Sequence, residues 1–180
     1  MDFLVYNLAE LPPATADLAG AAVELISLEN PNMRLKNALN QIKDDYDVIF
    51  IDCPPSLEML TVNALAAADG ILVPVQCEYY ALEGLTDLMS TLRIVKKRIN
   101  PDLEIFGVAL TMFDGRTNFS TQVAQEVRKH FPGKVFATVV PRNVRLAEAP
   151  SHGLPVTVYD RLSRGAAAYK AMAEEAAKKL

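Results

Sequence analysis

The chain has 180 residues, of which 51% are hydrophobic and 7% aromatic, and it contains no tryptophan. This length suits one domain with a substantial core, and the composition is typical of an alanine- and valine-rich α/β protein. A net charge of −4 argues against a surface that binds nucleic acid over its whole extent. With no signal peptide and no run of about 20 apolar residues, we predict a cytoplasmic protein without a membrane span.

Predicted strands and helices alternate along the chain. Apolar runs predict strands at residues 3–8, 47–52, 70–75, 104–111 and 135–140. Helical periodicity and end signals predict helices near residues 15–25, from Pro31 onward, and near 57–68, 82–99, 118–131 and 164–179. Asn100-Pro101 ends the fourth of these helices, and Ser163 is placed to cap the last one.

This alternation predicts an α/β fold of three layers, in which a mostly parallel sheet has helices on both faces. Ligands of such sheets bind outside the carboxyl ends of the strands. The loops that leave those ends are therefore the places to look for function, and they comprise residues 52–57, 75–82, 111–118 and 141–153.

The segment Val48-Ile49-Phe50-Ile51-Asp52 is typical of a buried strand that delivers a carboxylate to the sheet edge. In nucleotide hydrolases such a Walker B carboxylate holds magnesium, usually through a water. Taken alone, an aspartate in this position is more often an ordinary residue that starts a turn. The residues that follow it, Cys53, Pro54, Pro55 and Ser56, form a stiff loop, since two prolines fix the backbone and remove two donors. No Gly-x-x-x-x-Gly-Lys-Ser/Thr pattern occurs among the 180 residues.

Charge is distributed unevenly along the chain. Residues 1–92 carry 3 basic and 14 acidic side chains, whereas residues 93–145 carry 10 basic and 4 acidic ones. One reading is an electropositive face that binds a polyanion. The other is the ordinary solvated side of two helices that carry Lys96, Lys97, Arg98, Arg128 and Lys129. Charge alone leaves both open.

Two cysteines, Cys53 and Cys77, lie at or beside the ends of apolar runs. We expect buried free thiols, because a catalytic thiol needs a histidine partner and both histidines lie in segments predicted to be at the surface. Two cysteines and two histidines also lack the spacing of a zinc site.

Four loops, matched in order, carry a resemblance that runs over nearly the whole chain. They are Asp52-Cys53-Pro54-Pro55-Ser56, Gln76 to Leu85, Leu110 to Asn118, and Val140 to Gly153. Together they resemble the ParA/Soj family of chromosome- and plasmid-partitioning ATPases, which are relatives of the MinD proteins. This resemblance implies a P-loop NTPase-like fold of which the chain, as a single domain over residues 1–180, forms the C-terminal two-thirds, with the first strands and the phosphate-binding loop missing.

The resemblance also implies roles for individual residues. Asp52 matches the family's magnesium-side acid, and residues 53–56 match the switch loop that senses the γ-phosphate. Met112, Asp114, Pro141 and Asn143 fall in the two loops that surround the adenine. Arg116 and Arg145 match positions of DNA-contacting arginines, and both lie in the basic stretch of residues 93–145. The cofactors implied are ATP and Mg²⁺.

What the family does is implied as well. Its members dimerise with ATP, bind DNA without sequence preference on the nucleoid, and hydrolyse ATP when stimulated by a ParB/Spo0J-type centromere-binding partner. Because the phosphate-binding pattern is missing, we expect no ATP hydrolysis by these 180 residues alone. The alternative is a non-catalytic module that binds DNA or a full-length paralogue. A MinD-like membrane function is disfavoured, since alanine is the commonest residue from Ala166 to Leu180 and the large apolar residues there are Tyr169, Met172 and Leu180 alone.

Overall fold

The computed structural model describes residue 20 and residues 24–54, 58–78 and 81–180. The predicted strand at residues 3–8 lies outside them. Of the predicted helix at 15–25, only residues 20, 24 and 25 are described, and these are helical. The chain divides into two compact units, one formed by Met1–Gly70 and Met89–Glu104 and the other by Ile71–Leu88 and Ile105–Leu180.

Three strands form one sheet in the order β1-β2-β3, with bounds Gly70–Gln76, Glu104–Phe113 and Val135–Pro141. The α-helices in the described ranges are α1 Arg34–Leu39, α2 Met59–Ala67, α3 Ala81–Arg98, α4 Asn118–His130, α5 Val144–Glu148, α6 Val156–Tyr159 and α7 Arg164–Ala177. Short 3₁₀ turns lie at Pro31–Met33, Lys43–Asp45 and Ala149–His152. The predicted helix from Pro31 thus begins as a 3₁₀ turn and continues as α1.

The predicted strand at residues 47–52 is wrong. Residues 48–54 belong to no helix or strand, and the described sheet has only the three strands above. Phe50 is 49% exposed, and Asp52 is exposed as well. An apolar run predicts only that its side chains seek burial, whereas a strand exists only when its backbone pairs with a neighbour.

Two buried asparagines organise the unit of Met1–Gly70 and Met89–Glu104. Asn63 on α2 accepts a hydrogen bond from the backbone N–H of Leu35 (3.2 Å) and donates to the carbonyl of Pro31 (2.8 Å). Asn100 donates to the carbonyls of Leu65 (3.0 Å) and Ala68 (2.8 Å), at the C-terminal end of α2. Buried amides must be hydrogen-bonded, so these two side chains fix where α2 lies among its neighbours.

The other unit, Ile71–Leu88 and Ile105–Leu180, contains nearly all of the sheet. Strands β2 and β3 are parallel. Val108 pairs with Val135 and Leu110 pairs with Val139, so the register shifts between these two pairs. The core around them includes Val108, Leu110, Val127, Phe136 and Val140, each at most 1% exposed. Gly107 has a packing reason to be glycine, because a Cβ there would lie 2.6 Å from the ring of Phe136.

Helix α7 packs against β3 and begins as the sequence predicts. The Ser163 side chain accepts a hydrogen bond from the N–H of Ala166 (3.1 Å), which confirms the predicted cap. At the other end of the helix, Glu175 accepts from the backbone N–H groups of Ala137 (2.7 Å) and Thr138 (3.0 Å) in β3. Three parallel strands with helices on both sides confirm the predicted α/β class.

Candidate functional site

A cavity of about 470 Å³ opens where the three strands end. Its lining comes from the residues after β1, from the end of β2 and the start of α4, and from the residue after β3. These residues are Cys77, Glu78, Met112, Asp114, Thr117, Phe119, Ser120 and Arg142. The site therefore lies at the carboxyl edge of the sheet, where the alternation of strands and helices predicts it.

The floor of the cavity is a continuous hydrogen-bonded structure. The Ser120 hydroxyl is buried and donates to the carbonyl of Cys77 (3.1 Å), while the N–H of Cys77 donates to the carbonyl of Thr111 (2.9 Å). The Thr117 side chain caps α4 by accepting from the N–H of Ser120, and it donates to the carbonyl of Asp114 (3.0 Å). The first turn of α4 is thus tied to the ends of β1 and β2.

Met112 has an unusual backbone conformation at this edge. Its φ is +53°, in the left-handed region that a residue with a Cβ rarely adopts. Such conformations persist only when the surroundings enforce them, and they concentrate at functional sites. Met112 is the last residue but one of β2, which ends at Phe113, and Asp114 follows directly after the strand.

Two ion pairs flank the cavity. Asp114 accepts from Arg116 through both of its oxygens, with Oδ1 2.9 Å from Nε and Oδ2 2.7 Å from NH2, and Oδ1 also accepts from the Arg116 backbone N–H. These hydrogen bonds lower the pKa of Asp114 to about 2, and that carboxylate raises the pKa of Arg116. Arg142 is paired with Glu78.

Arg145 is also held by carboxylates, near the start of α5. The Asn143 side chain caps this helix by accepting from the Arg145 N–H (2.8 Å). The Arg145 guanidinium then pairs with Glu148 at 2.8 Å and with Asp160 at 3.3 Å. Glu148 in turn accepts from the hydroxyl of Tyr159 at 3.2 Å.

The structure brings only some of the predicted site residues together. Met112 and Asp114 line the cavity, whereas Pro141 and Asn143 do not, although Arg142 between them does. Asp52, Cys53 and Pro54 lie in the unit of Met1–Gly70 and Met89–Glu104, and Pro55 and Ser56 lie outside the described residues. The roles assigned to all of these residues remain predictions.

The sequence did not single out six of the lining residues: Cys77, Glu78, Thr117, Phe119, Ser120 and Arg142. Cys77, Glu78, Thr117 and Arg142 lie in loops that were selected correctly, because each loop follows the carboxyl end of a strand, whereas Phe119 and Ser120 lie in the first turn of α4, just beyond the predicted loop of residues 111–118. The sequence pattern did not indicate which residues of a loop would line the cavity. The hydrogen bond from Ser120 to Cys77 joins residues 43 positions apart, which local spacing cannot show.

The described residues do not by themselves fit a magnesium site. Asp52 is exposed, and no group of three or more His, Cys, Asp or Glu side chains that could hold a metal occurs in the ranges that the structure covers. Magnesium bound with a nucleotide usually keeps several waters and takes one or two carboxylates together with phosphate oxygens, so Asp52 would supply one contact and the other ligands would not come from the described side chains. We therefore derive no step through this ion.

Both cysteines are free, as predicted, but of the two only Cys77 is buried as predicted, whereas Cys53 is half-buried. Burial, and then the negative charge of Asp52, raise the pKa of the Cys53 thiol to about 11. Cys77 is 1% exposed, and burial raises its pKa too. Neither thiol is activated as a nucleophile. Across the described residues, no helix is both long enough and apolar enough to cross a membrane.

Ion pairs also compensate part of the positive charge in the basic stretch of residues 93–145. Lys129 pairs with Glu126 at 3.0 Å, so together with Arg116, Arg142 and Arg145 at least four of its cations have carboxylate partners. Lys96, Lys97 and Arg98 end α3, and Arg128 and Lys129 lie in the last turn of α4. Cations at helix C-termini are stabilised by the helix dipole, so part of the stretch has a structural explanation.

Known proteins resemble this chain in sequence and in fold. A family model described as an AAA domain matches residues 3–105. The sporulation initiation inhibitor protein Soj of Bacillus subtilis is 58% identical over 165 residues, which cover 92% of this chain and 65% of that protein. The chromosome partitioning protein ParA of Myxococcus xanthus is 53% identical over 170 residues, which cover 94% of this chain and 60% of that protein. The chain thus spans less than two thirds of the length of either relative.

Solved structures match as well. Cobyrinic acid a,c-diamide synthase from Mycobacterium smegmatis with bound ADP and magnesium has a TM-score of 0.72 at 36% identity, over 90% of this chain and 59% of that one. The cell division ATPase MinD of Pyrococcus furiosus has a TM-score of 0.66 at 28% identity, over 83% of this chain and 59% of that one.

The fold and its likeness to these solved structures define an α/β protein of the P-loop NTPase-like class. Within that class, the matched AAA-domain model and the high identity to Soj and ParA assign the sequence more closely. The chain belongs to the ParA/Soj family of partitioning ATPases.

Proposed function

We propose that this chain carries the base-binding and DNA-binding parts of a partitioning ATPase that acts in chromosome or plasmid segregation. The observation that carries the proposal is the 58% identity to Soj over 92% of the chain. At that identity, residues that line a shared site are expected to keep their chemistry. The dimeric ATP-bound state, a ParB/Spo0J-type partner and location on the nucleoid are parts of the same proposal.

In this proposal the cavity at the carboxyl edge receives the adenine of ATP. The carboxylates of Glu78 and Asp114 are acceptors, which suit the exocyclic amine of the base. Phe119 is 41% exposed at the cavity and offers an aromatic surface for a planar ring. The relative that was solved with ADP and magnesium supports the choice of an adenine nucleotide.

We assign DNA phosphates to Arg116 and Arg145. The Arg116 side chain is 88% exposed and that of Arg145 is 48% exposed, so both can reach a ligand that does not enter the fold. Arginine suits this task because its planar fork of five donors can bind a carboxylate and a phosphate at different edges. Contacts to phosphate carry no base information, so the binding is expected to be independent of sequence and to weaken with salt.

Two measurements on the 180-residue chain test the nucleotide part. In calorimetric titration, adenosine and ADP are expected to bind weakly, because the base pocket is present whereas no phosphate-loop pattern occurs in the sequence. Phe119→Ala should abolish that heat, while Val144→Ala, at a position 64% exposed and outside the cavity lining, should leave it unchanged. Equal heats for both variants would refute the base site. ATP hydrolysis is expected to be undetectable.

A third measurement tests the DNA part. A fluorescently labelled duplex of arbitrary sequence is titrated at several salt concentrations with the chain and with the double variant Arg116→Ala and Arg145→Ala. The double variant should lose binding and retain its melting temperature. Lys170→Ala, which removes an exposed cation from α7, is the matched control and should bind nearly as well as the unchanged chain. Equal binding by the double variant would remove the two arginines from the interface.

A further inference from the structure

The two arginines proposed to contact DNA share one feature of this structure: carboxylates of nearby residues hold both of them. Asp114 lies two positions before Arg116, and Glu148 lies three positions after Arg145 on the same helix. Asp160 reaches Arg145 from the residue that follows α6. The two pairs are formed by different elements, so the arrangement arises twice independently.

The Asp114 pair leaves little freedom to Arg116. Nε and NH2, which form one edge of the guanidinium, are both occupied by the carboxylate, at 2.9 and 2.7 Å. Asp114 is itself fixed, because its backbone carbonyl accepts from the N–H and the hydroxyl of Thr117. A phosphate that approaches Arg116 thus meets a guanidinium whose Nε/NH2 edge is taken, which leaves the NH1/NH2 edge, and whose charge is balanced by Asp114.

The Arg145 pair is fixed in a similar way. The hydroxyl of Tyr159 donates to the same Glu148 oxygen that accepts from Arg145, at 3.2 Å. Asp160 accepts from the N–H of Leu162 through its other oxygen, which anchors it in the turn before α7. Each carboxylate residue therefore has a contact besides its arginine that holds it in place.

We infer that Asp114 and the Glu148–Asp160 pair act as internal competitors for phosphate, so that the chain binds DNA by exchanging these carboxylates for the phosphates of the backbone. The inference rests on the proposed DNA-binding function and deepens it by naming what limits affinity. Phosphate and carboxylate both seek the bidentate edge of a guanidinium, and one edge serves one of them at a time. A phosphate that takes the edge held by the carboxylate must first displace that carboxylate, which reduces affinity by the strength of the pair.

The test removes the competing charge without changing shape. Asp114→Asn keeps an oxygen for the Arg116 backbone N–H, and Glu148→Gln keeps one for Tyr159. Exposed ion pairs are weak, so each change is expected to raise duplex affinity about two- to fivefold at low salt. If the freed arginine gains a phosphate contact, the slope of log affinity against log salt also steepens by about one. Glu174→Gln, an exposed acid on α7, is the control for removal of one negative charge and should change neither quantity.

A double-variant cycle separates competition from a general effect of charge. In the Arg116→Ala background, Asp114→Asn is expected to produce no gain, because no arginine is left to release. Three results would overturn the inference: a gain that persists in that background, equal affinity of Asp114→Asn and the unchanged chain, or weaker binding by Asp114→Asn, which would make the carboxylate an aid that preorganises Arg116.

The failure of the proposed function is distinguishable from these results. If the unchanged chain and all of its charge variants fail to bind duplex at the lowest salt, DNA binding and competition are both refuted. If the unchanged chain fails and Asp114→Asn binds, competition is supported in its strongest form. Far-UV circular dichroism and melting temperatures of every variant establish that only folded proteins are compared.

Discussion

Glu175 offers the sharpest test of how the C-terminal helix is attached to the sheet. Between Val135 and Val139, β3 advances four residues while β2 advances two, and such a bulge or irregularity in register leaves backbone groups out of the ladder. Two such groups, the N–H of Ala137 and that of Thr138, donate to the two oxygens of Glu175, at 2.7 and 3.0 Å. One side chain on α7 thus satisfies a defect in the strand against which the helix packs.

The cost of removing this carboxylate follows from its two hydrogen bonds. A hydrogen bond to a charged acceptor contributes about 1.5–3 kcal/mol when buried, and less here because Ala137 is exposed and water can replace the acceptor. We expect Glu175→Ala to lower the free energy of unfolding by about 2 kcal/mol. Glu175→Gln retains one acceptor and should cost about 1 kcal/mol, which corresponds to a melting temperature lower by about 2–4 °C for a chain of this size.

The pH dependence supplies a second, independent readout. Partial burial acts to raise the pKa of Glu175, but the donors Thr138 and Ala137, together with the charge of Lys179, outweigh it and hold the pKa below its ordinary value. A carboxyl whose pKa is lower in the folded state stabilises the fold above its unfolded pKa, and this contribution is lost as pH falls through the folded pKa. The difference between the unchanged chain and Glu175→Gln should therefore be full at pH 7 and vanish at strongly acidic pH.

Thermal melts at pH 7 and at acidic pH, with Glu174→Gln as the control, decide the matter. The control removes the same charge one residue away, where the side chain is exposed. Equal melting temperatures for Glu175→Gln and the unchanged chain at pH 7 would refute the argument. An equal loss in both variants would also refute it, since the effect would then come from charge on α7 rather than from the bulge.

Three further predictions concern the core and the thiols. Gly107→Ala should destabilise the chain by about 1–3 kcal/mol in urea denaturation, because its Cβ would lie 2.6 Å from the Phe136 ring. The control is Gly84→Ala, whose Cβ would meet nothing within 4 Å, so that the change should be neutral or stabilising; Gly133 does not serve because its φ is positive. Asn100→Ala should cost about 2 kcal/mol, since it leaves two carbonyls at the end of α2 without a donor; a loss below about 0.5 kcal/mol would contradict this. Cys53 should react with iodoacetamide only as pH rises towards about 11, and fast alkylation at pH 7 would show that its environment is not the one described.

Sequence predicted the elements whose determinants are local. Helix α7 begins where Ser163 can cap it, and α3 ends just before Asn100-Pro101, because a cap and a proline act on the turn in which they lie. The strands β1, β2 and β3 were found because each is a long enough apolar run. Residues 47–52 have the same pattern and form no strand, since pairing depends on a neighbour that the run itself does not contain.

The same distinction explains which parts of the site could be predicted. The loops were identified because carboxyl ends of strands lie at one edge, a consequence of topology. The residues within them were not, because the cavity floor depends on the contact of Ser120 with Cys77, and Arg142 contributes through a partner, Glu78, that is 64 positions away. The buried hydrogen bonds of Asn63 and Asn100 were missed for the same reason, since they include partners 28 to 35 positions away.

Ion pairing changes what the uneven charge of the sequence means. From the count of charged side chains alone, the basic stretch of residues 93–145 would produce a large positive electrostatic potential. A nearby carboxylate cancels most of the long-range potential of the cation with which it pairs. Arg116, Arg142 and Arg145 each have a carboxylate at hydrogen-bonding distance. Long-range attraction of DNA should thus be weaker than the count suggests, while short-range exchange at the arginines should be strongly sensitive to salt. Association rates that vary little with salt, combined with an affinity that varies strongly, are the kinetic signature expected of such a surface.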